Sequence, residues 1–399
     1  MSMSEEVAPK ALEIRTPFDY FQRTRLVFGE NAVDKVGQLA AELGAKRLLL
    51  VTDKGICAAG HAEHVTRCLE SAGIKVFVYD RTCENPTTVT VQECLETGFA
   101  AKVDMLVGLG GGSSLDTAKG CNFLLTNGGR MQDYRGVGKA TKPMLPFIAI
   151  PTTGGTGSEC QSAALIVDEQ THEKMACLDT KVAARVAILD PLLTLSQPAK
   201  VTACTGMDAL AHAVETAVTR RRSALSWMYS RESFRFCVEN FPKVVKEPGN
   251  VVARGGMLLG AAFAGIAIEN SMLGAAHAAA NPLTAHFGVV HGTAVGIMLP
   301  QVVRFNSRDP IAREAYGVLM ASAQDNMEWS GSGNDESPLA TKLEFLLERA
   351  GLPRGLSEAG VKHEKIPQMA AEAAAQWTAT FNPMALSAAD FVKLYEAAF

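Results

Sequence analysis

The segment Met105-Leu106-Val107-Gly108-Leu109-Gly110-Gly111-Gly112-Ser113-Ser114 constrains this chain more than any other. Its first five residues are apolar without alternation, so a strand here leaves neither face to water. Strands buried on both faces belong to parallel sheets, whose crossovers lay helices over each side. The glycines that follow allow a sharp turn into a helix, and the leading N–H groups of a helix attract an anion. Residues 47–52, 75–79, 147–150 and 186–189 repeat the short apolar pattern, and Asp190-Pro191 closes the last of them. Helix-period stretches lie between, such as 89–101 with apolar positions at Val91, Cys94, Leu95 and Phe99. The alternation predicts a Rossmann-like α/β domain with a parallel sheet.

From about residue 195 the periodicity is helical only, over 201–220, 223–241 and 251–271. We therefore expect an α/β domain over 1–195 and an all-helical domain over 196–399. Residues 330–335, rich in Gly and Ser, read as a surface loop.

Two small-residue turns carry the first chemistry. Gly110, Gly111, Gly112 and Ser113 suit a diphosphate. The turn Pro151-Thr152-Thr153-Gly154-Gly155-Thr156-Gly157-Ser158-Glu159 adds the hydroxyls of Thr152, Thr153 and Thr156, which suit ribose or amide groups. Turns at the carboxyl ends of neighbouring strands face one crevice, where open α/β sheets bind ligands. Asp53 ends the 47–52 strand, where a carboxylate accepts from ribose hydroxyls and repels a 2′-phosphate, a preference for NAD over NADP. The acid precedes the glycine loop, the reverse of the common dinucleotide fingerprint, so a different nucleotide-binding fold is implied.

The helical half supplies the second. Asp208 and His212 are four residues apart and share a helix face. That spacing alone fits a hydrogen-bonded pair, but His277 and His291 also stand in apolar helical segments of the same domain. One carboxylate with three imidazoles suits Fe(II) or Zn(II), not Mg(II) or Ca(II). His286 reads as structural or surface, and His61, His64, His172 and His363 as exposed.

Composition narrows the partners. Lys and Arg number 38 against 42 Asp and Glu, a net charge of −4, which gives no electrostatic reason to bind nucleic acid or an anionic membrane. Arg220, Arg221 and Arg222 form one compact basic run, read as a solvated helix end. Nine cysteines without a C-x-x-C pair fit reduced thiols in the cytoplasm. The N-terminal decapeptide lacks the order of a secretion signal, and the apolar run 257–268 is too short to span a bilayer.

These motifs resemble the iron-containing (group III) alcohol dehydrogenases of the dehydroquinate-synthase-like superfamily. The resemblance rests on Gly110–Lys119, Pro151–Glu159, Gly206–Glu215, the His277…His291-Gly292 spacing, Phe28-Gly29 and Asn85-Pro86-Thr87, and covers roughly residues 18–310. It implies a nucleotide domain, a helical metal domain and an active site in the cleft between them. It assigns Asp208, His212, His277 and His291 as ligands of Fe(II), with Zn(II) as the alternative ion. Asp53, Gly110–Ser113, Asp116, Thr152, Thr153, Thr156 and Lys174 then contact NAD. The implied reaction is reversible hydride transfer between a primary alcohol or diol and NAD, giving the aldehyde, in a homodimer. A hydroxyacid–oxoacid transhydrogenase, a zinc polyol dehydrogenase and a non-catalytic cofactor-binding relative are the alternatives on the same scaffold. One departure stands out: many members carry a histidine four residues after the third ligand, and here that position is Asn281, which cannot titrate.

Overall fold

Apolar strand segments flanked by helix-forming stretches give a sheet whose strands never alternate, and the structure follows that pattern. The computed structural model describes residues 16–171, 173–323 and 337–399. The N-terminal decapeptide, His172 and the expected loop at 330–335 lie outside the described residues. The strands are β1 (Arg25–Phe28), β2 (Arg47–Val51), β3 (Lys75–Tyr79), β4 (Met105–Gly110), β5 (Gly136–Val137), β6 (Phe147–Pro151), β7 (Ala163–Val167), β8 (Lys174–Leu178) and β9 (Val186–Leu189). Six of them form a parallel sheet in the order β1-β9-β6-β4-β2-β3. All five strands expected from sequence are in it.

The inner strands serve both faces, as a doubly covered parallel sheet requires. Leu48, Leu50, Met105, Val107, Leu109, Ile148 and Ile150 pack with Val36, Leu39, Val65 and Leu69 of helices α1 (Val36–Glu42) and α3 (His61–Ser71). The short helix α2 (Lys54–Ala58) precedes α3. Leu49, Val51, Leu106, Phe147 and Ala149 face the other way, onto Cys94 of α4 (Thr88–Ala101) and Leu115, Ala118 and Cys121 of α5 (Gly112–Asn127). Phe99 departs from the expected apolar face of α4: it is 75% exposed, one residue outside the arc that Val91 and Cys94 bury.

Sequence reading missed β1 and a three-stranded sheet, β5-β8-β7, in which β7 and β8 pair antiparallel. This sheet buries Ala164, Ile166, Met175 and Cys177 with Phe123 and Leu124 of α5. Lys119, in the same helix, is fully buried. Its ammonium donates to the Ser158 carbonyl at 2.7 Å, the Ser158 hydroxyl at 2.8 Å and the Ala163 carbonyl at 2.8 Å. Three donors meet three acceptors, which is what makes a buried lysine tolerable.

The chain divides into two compact units. The first holds Phe21–Thr202 and Pro248–Gly265; the second holds Ala203–Glu247, Ile266–Phe399 and the described residues before Phe21. Among its described residues the second is helical: α6 (Ala199–Thr216, from residue 203), α7 (Ala224–Lys246), the end of α8 (Val251–Asn270), α9 (Ala275–Phe287), α10 (His291–Asn306), α11 (Pro310–Ser322), α12 (Pro338–Arg349), α13 (Ile366–Ala375) and α14 (Ala388–Ala397).

Helix α8 corrects the length argument against a membrane span. It runs for 20 residues and is long and apolar enough to cross a bilayer, although most of it is buried inside the protein. Its small residues have a packing use within the first unit. A Cβ on Gly265 would stand 2.2 Å from the Gly157 carbonyl oxygen, and Gly157 itself sits at φ +62°. Only a residue without a side chain fits Gly265. Gly265→Ala should lower stability by about 1–3 kcal/mol through overpacking, read as a lower midpoint in urea unfolding; an unchanged midpoint would contradict this contact.

Candidate metal and nucleotide sites

Helix α6 places Asp208 and His212 one turn apart, and α9 and α10 supply His277 and His291 near their N-termini. Asp208 Oδ1 lies 3.4 Å from His212 Nε2, 3.4 Å from His277 Nε2 and 3.8 Å from His291 Nε2. The donor atoms of Asp208, His277 and His291 all lie within 4.8 Å of one another. The His212 ring stacks on His277 with centroids 4.8 Å apart. Neighbouring donors on a tetrahedral ion with bonds near 2.1 Å are about 3.4 Å apart, the spacing found around Asp208.

Electrostatics and hydrogen bonding favour the same reading. Asp208, His212 and His277 are buried, whereas the His291 side chain is 29% exposed. Burial opposes ionisation of Asp208, yet His212, His277 and His291 outweigh it and hold its carboxyl well below the usual range. Asp208 Oδ1 and His277 Nε2 make no hydrogen bond of ordinary geometry. Buried polar atoms left in that state call for a partner, and this carboxylate and imidazole set fits a divalent transition ion.

Glu215, not singled out as a site residue from sequence, organises the centre. It sits seven residues after Asp208 on α6, and that spacing was the available signal. One of its oxygens accepts from the Ala276 amide at 2.6 Å, inside the first turn of α9; the other is 2.5 Å from His277 Nδ1. A single carboxylate thus caps the positive end of α9 and fixes which nitrogen His277 presents. Burial disfavours a charged His277, but Glu215 and Asp208 overcome it and raise the group to about 9. Asn382 accepts weakly from the Ala275 amide at 3.4 Å and pairs with Asn306 at 2.7 Å; no sequence pattern announced it.

Gly292 explains why a glycine follows His291. A Cβ there would meet the Cys204 carbonyl oxygen at 2.0 Å, so a bare backbone lets α10 start against α6. Asn281 donates to Gln376 Oε1 at 3.1 Å. His286 pairs with Glu372 at the surface, and His363 with Glu396.

In the sheet unit, β4 and β6 are neighbours in register Gly110↔Pro151, so the two small-residue turns stand side by side. From β2 the chain proceeds to β3 on one side, then crosses to β4 on the other. That reversal is the topological switch point at which such sheets bind ligands. Asp53 caps α2 through Ile56 N at 3.0 Å and accepts from Ser114 Oγ at 3.4 Å, beside the Gly110 turn. A Cβ on Gly112 would meet the Thr156 side chain at 2.9 Å, and Thr153 lies 3.4 Å from the corresponding point at Gly111. The buried Thr153 hydroxyl has no hydrogen-bond partner. Bare glycines, a helix N-terminus and an orphaned hydroxyl together fit a dinucleotide.

The remaining expected contacts are engaged with protein. Thr152 N donates to the Gly110 carbonyl at 3.0 Å. Asp116 is buried and accepts from Ser158 Oγ at 2.9 Å and Leu165 N at 3.3 Å, so it braces the second turn. Lys174 donates to Asn85 Oδ1 at 3.0 Å. Glu159 is buried, and burial pushes it up to about 7 against the pull of its own backbone amide and of the Lys119 charge.

Comparison with known proteins agrees with both halves. The family described as "Iron-containing alcohol dehydrogenase" matches residues 23–191, and "Fe-containing alcohol dehydrogenase family, C-terminal" matches 202–399. The chain belongs to the iron-containing alcohol dehydrogenase family. It is 32% identical to the NAD-dependent methanol dehydrogenase of Bacillus methanolicus over 94% of this chain and 98% of that protein. It is 33% identical to the 1,3-propanediol dehydrogenase of Citrobacter freundii over 96% of this chain and 99% of that protein. A crystal structure of a 1,3-propanediol oxidoreductase superposes with a TM-score of 0.90 at 31% identity, covering 96% of this chain and 100% of that one.

Two predictions follow from these surroundings. Glu215→Gln should weaken Fe(II) or Zn(II) binding by roughly 10–100-fold while the protein stays folded, read by metal content after dialysis; retention equal to the parent would remove Glu215 from the centre. The second concerns Glu159, whose folded pKa lies above its ordinary 4.5. Its contribution is therefore complete below pH 4.5 and is lost as pH rises through 7, by roughly 3 kcal/mol in all. Glu159→Gln should then melt higher than the parent at pH 8 and show little advantage at pH 4.5. An equal difference at both pH values would contradict this assignment.

Proposed function

We propose that the chain catalyses reversible hydride transfer between a primary alcohol or diol and NAD, giving the corresponding aldehyde. The convergence of three imidazole Nε2 atoms on one buried Asp208 oxygen carries this reading. Asp208, His212, His277 and His291 would hold Fe(II), with Zn(II) compatible with the same donors. Bound there, the ion would supply Lewis acidity toward an alcohol oxygen, and bound NAD would supply the hydride acceptor. The α/β portion, residues 1–195, holds NAD, and the helical portion, 196–399, holds the metal.

The chain's own groups prepare that chemistry. Glu215 keeps the Nδ1 proton of His277 in place, leaving Nε2 as a donor atom. Gly110, Gly111, Gly112 and Ser113 offer backbone N–H groups to the diphosphate, with Thr152, Thr153 and Thr156 alongside. Asp53 accepts from the ribose hydroxyls and disfavours a 2′-phosphate, and Asp116 and Lys174 steady the cofactor side. Asn281 cannot take a proton, so the hydroxyl proton leaves through water or a ribose hydroxyl. The short alcohol and diol substrates in the names of the matched relatives support a small substrate. A cytoplasmic homodimer without nucleic-acid or membrane partners completes the proposal.

The test is NADH formation by anaerobically purified protein loaded with Fe(II), loaded with Zn(II) or stripped by a chelator. Substrates are short primary alcohols, diols, and 2- and 4-hydroxy acids. We expect metal-dependent NADH formation on an alcohol or diol. In His277→Ala, turnover should fall by at least about 10³-fold, with weaker metal retention. Full activity of that variant would overturn the site. Oxidation of a hydroxy acid that requires an added oxo acid and releases no NADH would assign a transhydrogenase instead.

A further inference from the structure

The sequence left His64 among histidines without a partner in any pattern, and the fold gives it two. His64 and Cys68 are one turn apart on α3, and Asp34 sits in the 3-10 turn Ala32–Lys35 that precedes α1. Asp34 Oδ1 lies 2.7 Å from His64 Nε2, and Cys68 Sγ lies 3.8 Å from the same nitrogen. The three donor atoms are all within 4.8 Å of one another. We propose that Asp34, His64 and Cys68 form a second metal site that takes Zn(II), with water completing the shell.

The donor set decides the ion. An imidazole, a thiolate and a carboxylate suit a borderline-soft cation and are a poor match for Mg(II) or Ca(II). On a tetrahedral zinc ion neighbouring donors are about 3.3–3.6 Å apart, so the carboxylate and imidazole separate slightly and the sulfur moves slightly inward. Both side chains of the Asp34–His64 pair are open to solvent, 54% and 41% exposed, which leaves room for entry and for the water ligand.

The backbone under the site is fixed. Val33 and Val36 are buried on either side of Asp34, and Val65 and Leu69 are buried beside His64 and Cys68. Gly37 lies so near the Cys68 carbonyl that a Cβ would be 2.3 Å from its oxygen, which sets the spacing of the two segments. Loading exchanges the Cys68 thiol proton, released to solvent, for the ion, forming one metal–sulfur bond as one S–H bond breaks. No electron is transferred, and the ion cross-links the turn before α1 to α3.

Co(II) reports this site separately from the Asp208 centre, because a thiolate bound to Co(II) gives a near-ultraviolet charge-transfer band and the Asp208 set contains no sulfur. Metal-stripped, reduced protein titrated anaerobically with Co(II) should show that band and take up about two ions per chain. In Cys68→Ser the band should vanish and uptake fall to about one ion, with alcohol oxidation unchanged. Zn(II) added to the parent should bleach the band and raise the melting temperature, and the temperature rise should shrink in Cys68→Ser. His64→Ala, which keeps the sulfur, should weaken Co(II) uptake at this site by about tenfold or more. The absence of a thiolate band in the parent, or its persistence in Cys68→Ser, would overturn the proposal.

Discussion

Glu215 makes the interaction on which the helical unit depends. Its two oxygens serve different masters: one caps the buried amide end of α9, the other holds the far nitrogen of His277. Helix termini leave several backbone donors without intrahelical partners, and a buried terminus needs them satisfied. Here the group that meets this need also sets the tautomer of a metal-binding imidazole. Local folding of α9 and the geometry of the centre are consequently the same event.

Asp208 depends on this arrangement in turn. A carboxylate buried without compensation would be strongly disfavoured, and three imidazoles supply the compensation in the metal-free protein. Lys119 shows a comparable solution in the sheet unit, where three oxygens from the second turn and β7 surround a buried ammonium. In both places a charged group is buried because the chain around it is already committed to neutralising or hydrogen-bonding it.

The parallel sheet was legible because its strands are uninterrupted apolar runs and its crossovers have helical period. The glycine turns were legible because they follow such runs directly. Asp208, His212, His277 and His291 could be nominated from residue type; the fold brings donor atoms of Asp208, His277 and His291 within 4.8 Å of one another and sets His212 Nε2 3.4 Å from Asp208 Oδ1. What escaped reading had weaker local signals. β1 is four residues long and β5 two, and the outer residues of β8 are only partly buried. Asn382, from the last tenth of the chain, reaches α9 only through tertiary packing. Phe99 had the right spacing for the core of α4 but is mostly solvated, since an apolar arc inferred from period alone has uncertain edges.

Asp208, His212 and Glu215 occupy one continuous helix, spaced by four and three residues. A helix advances about 100° per residue, so inserting or deleting one residue among them would swing one functional group away from the others. The intervening Ala209, Leu210, Ala211, Ala213 and Val214 are fully buried, and at each the admissible side chains are set by volume. Their number, however, is set by rotation. By this geometry the stretch can exchange residues of similar volume but cannot change in length without parting the three groups, which makes it a ruler as much as a binding motif.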